Sequence, residues 1–261
     1  MHAASPETAR IRSYIWVSAL LLAFGMVRLP VETRLTAENR ANYFGTVKLN
    51  LALREKVGQL GFLAALSGFR TLVADLLWVE AHAYWEKVEY GRMNLLLGTV
   101  TTLAPRNVNF WDMSSWHMAY NASVAAMQDR KQPKLALRLK AQHEYFLLGK
   151  DYAERGIENN PDTYVLHQTL ANIYKWKLGD HCAAAVEFAK AAAFKDAPTY
   201  EKRFAAYELT QCPGHEQQAW QTLRKLYDMG PQERLPTLEN DLKMMEEKLN
   251  LPPELRVYKA P

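Results

Sequence analysis

The sequence contains no sustained run in which apolar and polar residues alternate with β-branched side chains, the pattern of a half-buried strand. That absence excludes sandwiches, barrels and doubly wound sheets. Glycine and proline are scarce, at 12 each among 261 residues, so few points break regular structure. Apolar residues recur instead at spacings of three and four almost throughout, and the chain is read as all-α.

Catalytic motifs are missing as well. There is no GxxxxGK[ST] to cradle phosphate, no GxGxxG after a strand, no GxSxG and no HExxH, which removes the common forms of nucleotide, serine-hydrolase and zinc-protease chemistry. The seven histidines are scattered. His82 and Glu86 lie four apart and could share a metal, but nothing near them completes a ligand set. Arg70 and Asp75 sit in an otherwise apolar run, and burial there would require partners for both. No cofactor, metal, small-molecule substrate or reaction is expected.

Charge of one sign is lacking in the body of the chain. Residues 1–60 hold eight Lys/Arg against four Glu, and the remaining residues hold 24 of each sign. A nucleic-acid protein carries its basic excess on the folded body, so no nucleic-acid partner is expected. A local exception is Arg130, Lys131, Lys134, Arg138 and Lys140, opposed only by Asp129. It reads either as a solvated helix face or as a surface for anionic lipid or an acidic partner.

The basic N-terminus leads into the charge-free run SYIWVSALLLAFGMV at residues 13–27. Extended to Val31 it has nineteen residues with one charge, Arg28, near its end, where an arginine can snorkel to the interface. Arg10 and Arg12 ahead of it favour a cytoplasmic N-terminus. The expected reading is an uncleaved transmembrane anchor. Two alternatives stay open: a signal peptide cleaved after Gly25, where Ala23 and Gly25 have the required spacing, and an ordinary buried helix. The anchor and the signal both place residues 30–261 outside the cytoplasm, most simply in a bacterial periplasm. The charge-free segment GQLGFLAALSGF at 58–69 is too short to span a bilayer.

Prolines expose an internal repeat. Steps of 12, 8 and 5 back from Pro105 reach Met93, Leu97 and Val100; from Pro161 they reach Gly149, Ala153 and Gly156; from Pro231, Ala219, Leu223 and Leu226. Before Pro198 the set is Ala184, Phe188 and Ala191, two residues further back, which implies a longer exit turn. Each set forms one face of a helix, and the proline cannot continue it. A preceding helix ends near a tyrosine in three cases, with Ala81 before Tyr84, Trp116 before Tyr120, and Leu170 and Ala171 before Tyr174. The fourth, at 201–211, fits poorly.

These residues resemble the tetratricopeptide repeat, a 34-residue helix–turn–helix unit with a small residue and a tyrosine on helix A and small, aromatic and small residues on helix B. Tyr174, Gly179, Asp180, Ala184, Phe188, Ala191 and Pro198 match best. The resemblance covers about residues 74–231 in four units, the second with about twenty extra residues between Tyr120 and Gly149. The blocks GFRTLVADLLW (68–78) and WHMAYN (116–121) are similar to those of bacterial envelope-associated repeat proteins. The implied fold is an α-α superhelix in which stacked pairs bury what one pair cannot. Residues 1–30 are then the anchor or signal, 31–70 a helical linker and cap, 71–231 the repeats and 232–261 a capping helix and tail. In that cap, Leu242, Met245 and Leu249 share one face of a helix over 236–249.

The resemblance also implies a groove lined by helix A residues. Its positions fall on Asp75, Trp78, His82, Trp85 and Glu86 in unit one, and on Trp111, Ser114, Met118 and Asn121 in unit two. In unit three they fall on Gln168, Asn172, Lys175 and Trp176. Trp85, Trp111 and Trp176 are expected exposed, and Trp78 and Trp116 in the core. Asn121 also begins an N-x-S pattern, taken as coincidence inside a packed helix. Cys182 starts helix B of unit three and Cys212 ends helix A of unit four, at one edge of the stack. They either form a disulfide, if the compartment is oxidising, or pack as two thiols. The expected function is a membrane-anchored scaffold that holds protein partners in the bacterial envelope. The alternative is an envelope enzyme or lipid-handling factor built on residues 58–82.

Overall fold

The computed structural model describes Trp16, Gly58, Gln59 and residues 69–257. The expected anchor at 13–27, apart from Trp16, and nearly all of the 58–69 segment lie outside the described residues. Apart from Trp16, the described residues belong to one compact unit spanning 50–261. They are all-helical, with no strand among them, and no described helix is long and apolar enough to cross a membrane.

Helices come in pairs joined by short turns. Helix α1 (Arg70–Glu86) packs on α2 (Tyr90–Leu103). Helix α3 (Val108–Trp116) passes through a π-helical turn, His117–Ala122, into α4 (Ser123–Gln128), and all three pack on α5 (Leu135–Asn159). Helix α6 (Val165–Ile173) ends in a second π turn, Tyr174–Leu178, and packs on α7 (His181–Ala191). Helices α8 (Tyr200–Thr210) and α9 (Glu216–Asp228) form the fourth pair. Helix α10 (Pro236–Lys248) lies on α9 and α8, with Leu242 and Met245 buried and Leu249 half-buried. The extra length in the second pair is therefore the continuation into α4 and the 25-residue α5.

Local chemistry explains the boundaries. The Asn107 side chain accepts from the Phe110 N–H, and the Asp180 side chain from the Ala183 N–H at 2.9 Å, as N-caps do. Gly179 takes φ 67°, the left-handed position that ends a helix without steric cost. One glycine and one aspartate thus stop α6 and start α7.

Packing depends on slim side chains. Met93, Leu97 and Val100, then Gly149, Ala153 and Gly156, Ala184, Phe188 and Ala191, and Ala219, Leu223 and Leu226 are all buried. A Cβ on Gly149 would lie 2.7 Å from the Ser115 carbonyl oxygen and 2.8 Å from the Ala119 nitrogen, so here α5 meets the backbone of α3 and its π turn directly. Ser115 Oγ donates to the Gly149 carbonyl at 2.6 Å across that seam. The buried apolar residues form three clusters in chain order: one over α1–α5 with Leu166, one over α6–α8 and one over α8–α10. Helices therefore pack mainly on their neighbours in sequence.

Several expectations are corrected. Arg70 and Asp75 are exposed, because the outer face of α1, with Phe69, Leu72, Leu76 and Val79, is itself exposed. Trp111 is 2% exposed; its indole fills the space left by Gly156, whose Cβ would meet Trp111 Cβ at 2.8 Å, and its Nε1 donates to the Pro105 carbonyl at 2.8 Å. Ser114 and Met118, one and two turns further on, are buried with it. Trp116, expected in the core, is 41% exposed, since the α5-facing stripe runs through Trp111, Ser115, Met118 and Ala122 and leaves it outside. Helix α8 is regular despite its poor fit, with Ala205 and Ala206 buried.

Candidate functional site

The first and second pairs meet at an aromatic seam centred on His117. Trp78, His82 and Trp85 project from one side of α1 at helical spacing, and Trp116 and His117 stand at the π turn. The His117 ring lies 5.1 Å from Trp116, 5.8 Å from both His82 and Trp85, and 6.5 Å from Trp78, centroid to centroid. Trp78 is half-buried against Phe110 at 5.2 Å. Trp85 and Trp116 remain 38% and 41% exposed, so the seam opens to solvent on that side. π turns of this kind are frequent at functional sites.

His117 is buried, and desolvation, with a smaller contribution from His82, pushes its pKa down to about 4. It is therefore neutral at physiological pH. Asn121 Nδ2 donates to its Nδ1 at 3.0 Å, which leaves the proton on Nε2. That N–H is buried without a hydrogen-bond partner. The Asn121 amide is occupied by this contact and half-buried, while Glu86 is exposed at the end of α1.

The seam continues toward the third pair. Trp116 stacks on Tyr120 at 6.4 Å, and the Lys177 ammonium sits 3.9 Å over the Tyr120 ring, a cation–π contact. Desolvation lowers the Lys177 pKa. Trp176 is 66% exposed, with the Lys175 ammonium 4.6 Å from its ring. Lys175 also pairs with buried Glu208 at 2.6 Å, and His181 Nδ1 lies 2.7 Å from the same carboxylate. Lys175 is thus held between helix pairs. Asn172 is half-buried, and Gln168 donates to the Tyr200 hydroxyl at 3.0 Å.

Of the residues assigned to the groove from sequence, the structure brings Trp78, His82 and Trp85 together and leaves Trp176 exposed further along. Trp111 belongs to the core. The residues missed were Trp116, His117, Tyr120 and Lys177. The four-residue spacing of His117 and Asn121 on one helix was the available signal.

The edge formed by the third and fourth pairs carries the two cysteines. Cys182 and Cys212 are joined as a disulfide, with Cα atoms 4.9 Å apart, and His215 Nδ1 lies 3.1 Å from Cys212 Sγ. These three make up the cluster of metal-ligand type found among the described residues, and its two sulfurs are already bonded to each other. Elsewhere, an open depression of about 420 Å³ on α9 is lined by Trp220, Arg224, Asp228 and Met229 among others. Its ionisable groups are Arg224, Lys225 and Asp228, and Arg224 pairs with Asp228 at 3.1 Å.

Family models, curated proteins and solved structures were compared with the chain, and none matches. The seam presents flat aromatic faces, one neutral buried histidine and lysines held over rings. Between the second and third pairs the Thr169 hydroxyl donates to the Asp112 carboxylate, whose pKa burial raises. Tryptophan rims of this composition suit protein contact, where aromatic anchors dominate the binding energy.

Proposed function

We propose that this chain is a membrane-anchored, tetratricopeptide-like scaffold that holds other proteins in the bacterial cell envelope. In this reading residues 13–27 anchor it in the inner membrane and the helix pairs stand in the periplasm as a short superhelix. Its helix A seam is the docking groove. The carrying observation is the row of exposed tryptophans, Trp85, Trp116 and Trp176, on successive helix A positions. Each has a histidine or lysine beside its ring: His82 and His117 at Trp85, His117 at Trp116 and Lys175 at Trp176.

Supporting this, helices pack on their neighbours in sequence and the buried clusters follow chain order, as stacked repeats require. The periplasmic placement draws support from the Cys182–Cys212 disulfide, since such bonds persist in oxidising compartments. The enzyme alternative needs Arg70, Asp75 and His82 to converge. Arg70 and Asp75 are exposed, and His82 is packed against Trp78 and His117.

Affinity capture of the full chain from detergent-solubilised membranes tests the reading. Proteins retained by the native chain should be lost from the Trp85→Ala/Trp116→Ala/Trp176→Ala variant, whose helix content should be unchanged. An identical set retained by both would reject the groove.

A further inference from the structure

The turn between α4 and α5 concentrates charge of one sign. Arg130, Lys131, Lys134 and Lys140 are exposed; the acids within residues 129–147 are Asp129 and the half-buried Glu144, which interacts with Lys140 one turn away. Asp129 is engaged locally, accepting from the Lys131 N–H at 2.9 Å. Arg138 alone among the cations turns inward, where it donates to the Met127 carbonyl at 3.2 Å.

Leucines are interleaved with the cations. Leu135, Leu137 and Leu139 are 51%, 45% and 47% exposed. The packing does not call for them. The buried residues of α5 are Gly149, Tyr152, Ala153 and Gly156, all in its C-terminal half. Leu135 and Leu139 stand one turn apart on one face of the helix. Leu137 points to the other side of the helix, about 200° from Leu135. A single exposed leucine needs no explanation. Three around the first turns of one helix, rimmed by cations, do.

We propose that this hairpin tip, residues 129–147, docks on an anionic lipid surface. Leu135, Leu137 and Leu139 enter the boundary between headgroups and acyl chains, and Arg130, Lys131, Lys134 and Lys140 meet the lipid phosphates. The distribution of the leucines selects lipid over an acidic protein. A folded partner touches one side of a helix, whereas a fluid interface surrounds the tip and covers leucines on opposite sides at once. Lysines can then snorkel outward from the same turns. The inference stands independently of the groove, which lies on other residues.

Hydrogen–deuterium exchange on the full chain is the test, with phosphatidylcholine vesicles lacking or containing phosphatidylglycerol. Exchange across 129–147 should slow only with phosphatidylglycerol, and α9 should be unaffected. The protection should disappear in high salt and in Lys131→Gln/Lys134→Gln/Lys140→Gln, which should weaken binding on the order of a hundredfold. It should also fall in Leu135→Asn/Leu139→Asn. All five positions are exposed, so these variants should keep the native fold. No slowing with phosphatidylglycerol, or equal slowing with both vesicles, would overturn the proposal. Slowing by soluble polyglutamate but not by vesicles would also overturn it and reassign the tip to an acidic protein.

Discussion

Gly149 and Ala119 meet so closely that a Cβ on the glycine would lie 2.6 Å from the alanine Cβ. Real side chains do not tolerate that distance, and the adjacent Ser115 carbonyl is backbone that cannot swing away. Gly98 on α2 is different, since a Cβ there meets only the Tyr152 hydroxyl at 3.5 Å, an ordinary contact. Alanine is worth up to about 1 kcal/mol over glycine inside a helix, while overpacking costs about 1–3 kcal/mol. Gly98→Ala should therefore raise the melting temperature and Gly149→Ala lower it. Thermal denaturation of the two variants side by side reads the difference.

The tryptophans should divide the same way. Trp111 fills core space beside Gly156, and Trp111→Ala should cost about 3–5 kcal/mol in urea denaturation. Trp176 is mostly exposed, and Trp176→Ala should stay within about 0.5 kcal/mol of the native chain.

Two buried groups set opposing pH dependences. Glu201 is fully buried, and desolvation raises its pKa to about 7. Its folded pKa lies above the unfolded value of 4.5, so the folded state holds the extra proton. Its contribution is complete below pH 4.5 and is lost as pH rises through 7. Glu201→Gln should remove that loss, gaining on the order of 1 kcal/mol at pH 8 relative to pH 5 after allowance for solvent screening. His117 acts in the other direction. Its folded pKa of about 4 lies below the ordinary 6.5, so its contribution is present above 6.5 and declines as pH falls toward 4. Urea midpoints of the native chain and Glu201→Gln across pH 4–8 check both signs.

The all-helical character and the helix faces were legible in sequence for a specific reason. Packing between successive helices is local, so Ala184, Phe188 and Ala191 announce a helix face from their own spacing, and the neighbour that covers them is next in the chain. Trp111 was misplaced because its position depends on Gly156, 45 residues away (156 − 111), and spacing cannot pair a large residue with a distant small one. Trp116 was misplaced with it, because an error of register on α3 exchanged its buried and exposed faces. The carboxylates were also hidden. Glu187, Glu208 and Glu233 look like solvated helix residues, yet each is buried and meets His167, Lys175 or Arg203 on another helix.

The Cys182–Cys212 bond closes a loop of 30 residues in sequence separation. By loop entropy alone it should contribute about 3–4 kcal/mol. Reductant, or Cys182→Ser/Cys212→Ser, should lower the urea midpoint by that equivalent. The loss should begin in α7–α10, where exchange of the amide hydrogens would report it first.

The proposed scaffold requires a partner protein lying against the seam formed by successive helix A positions. A photo-reactive phenylalanine derivative placed at Trp116 in the full chain, and separately at exposed Val186 on α7, tests this inside living cells. Protein adducts of defined mass are expected at position 116 and none at 186. Adducts at neither position, or the same adducts at both, would contradict the scaffold.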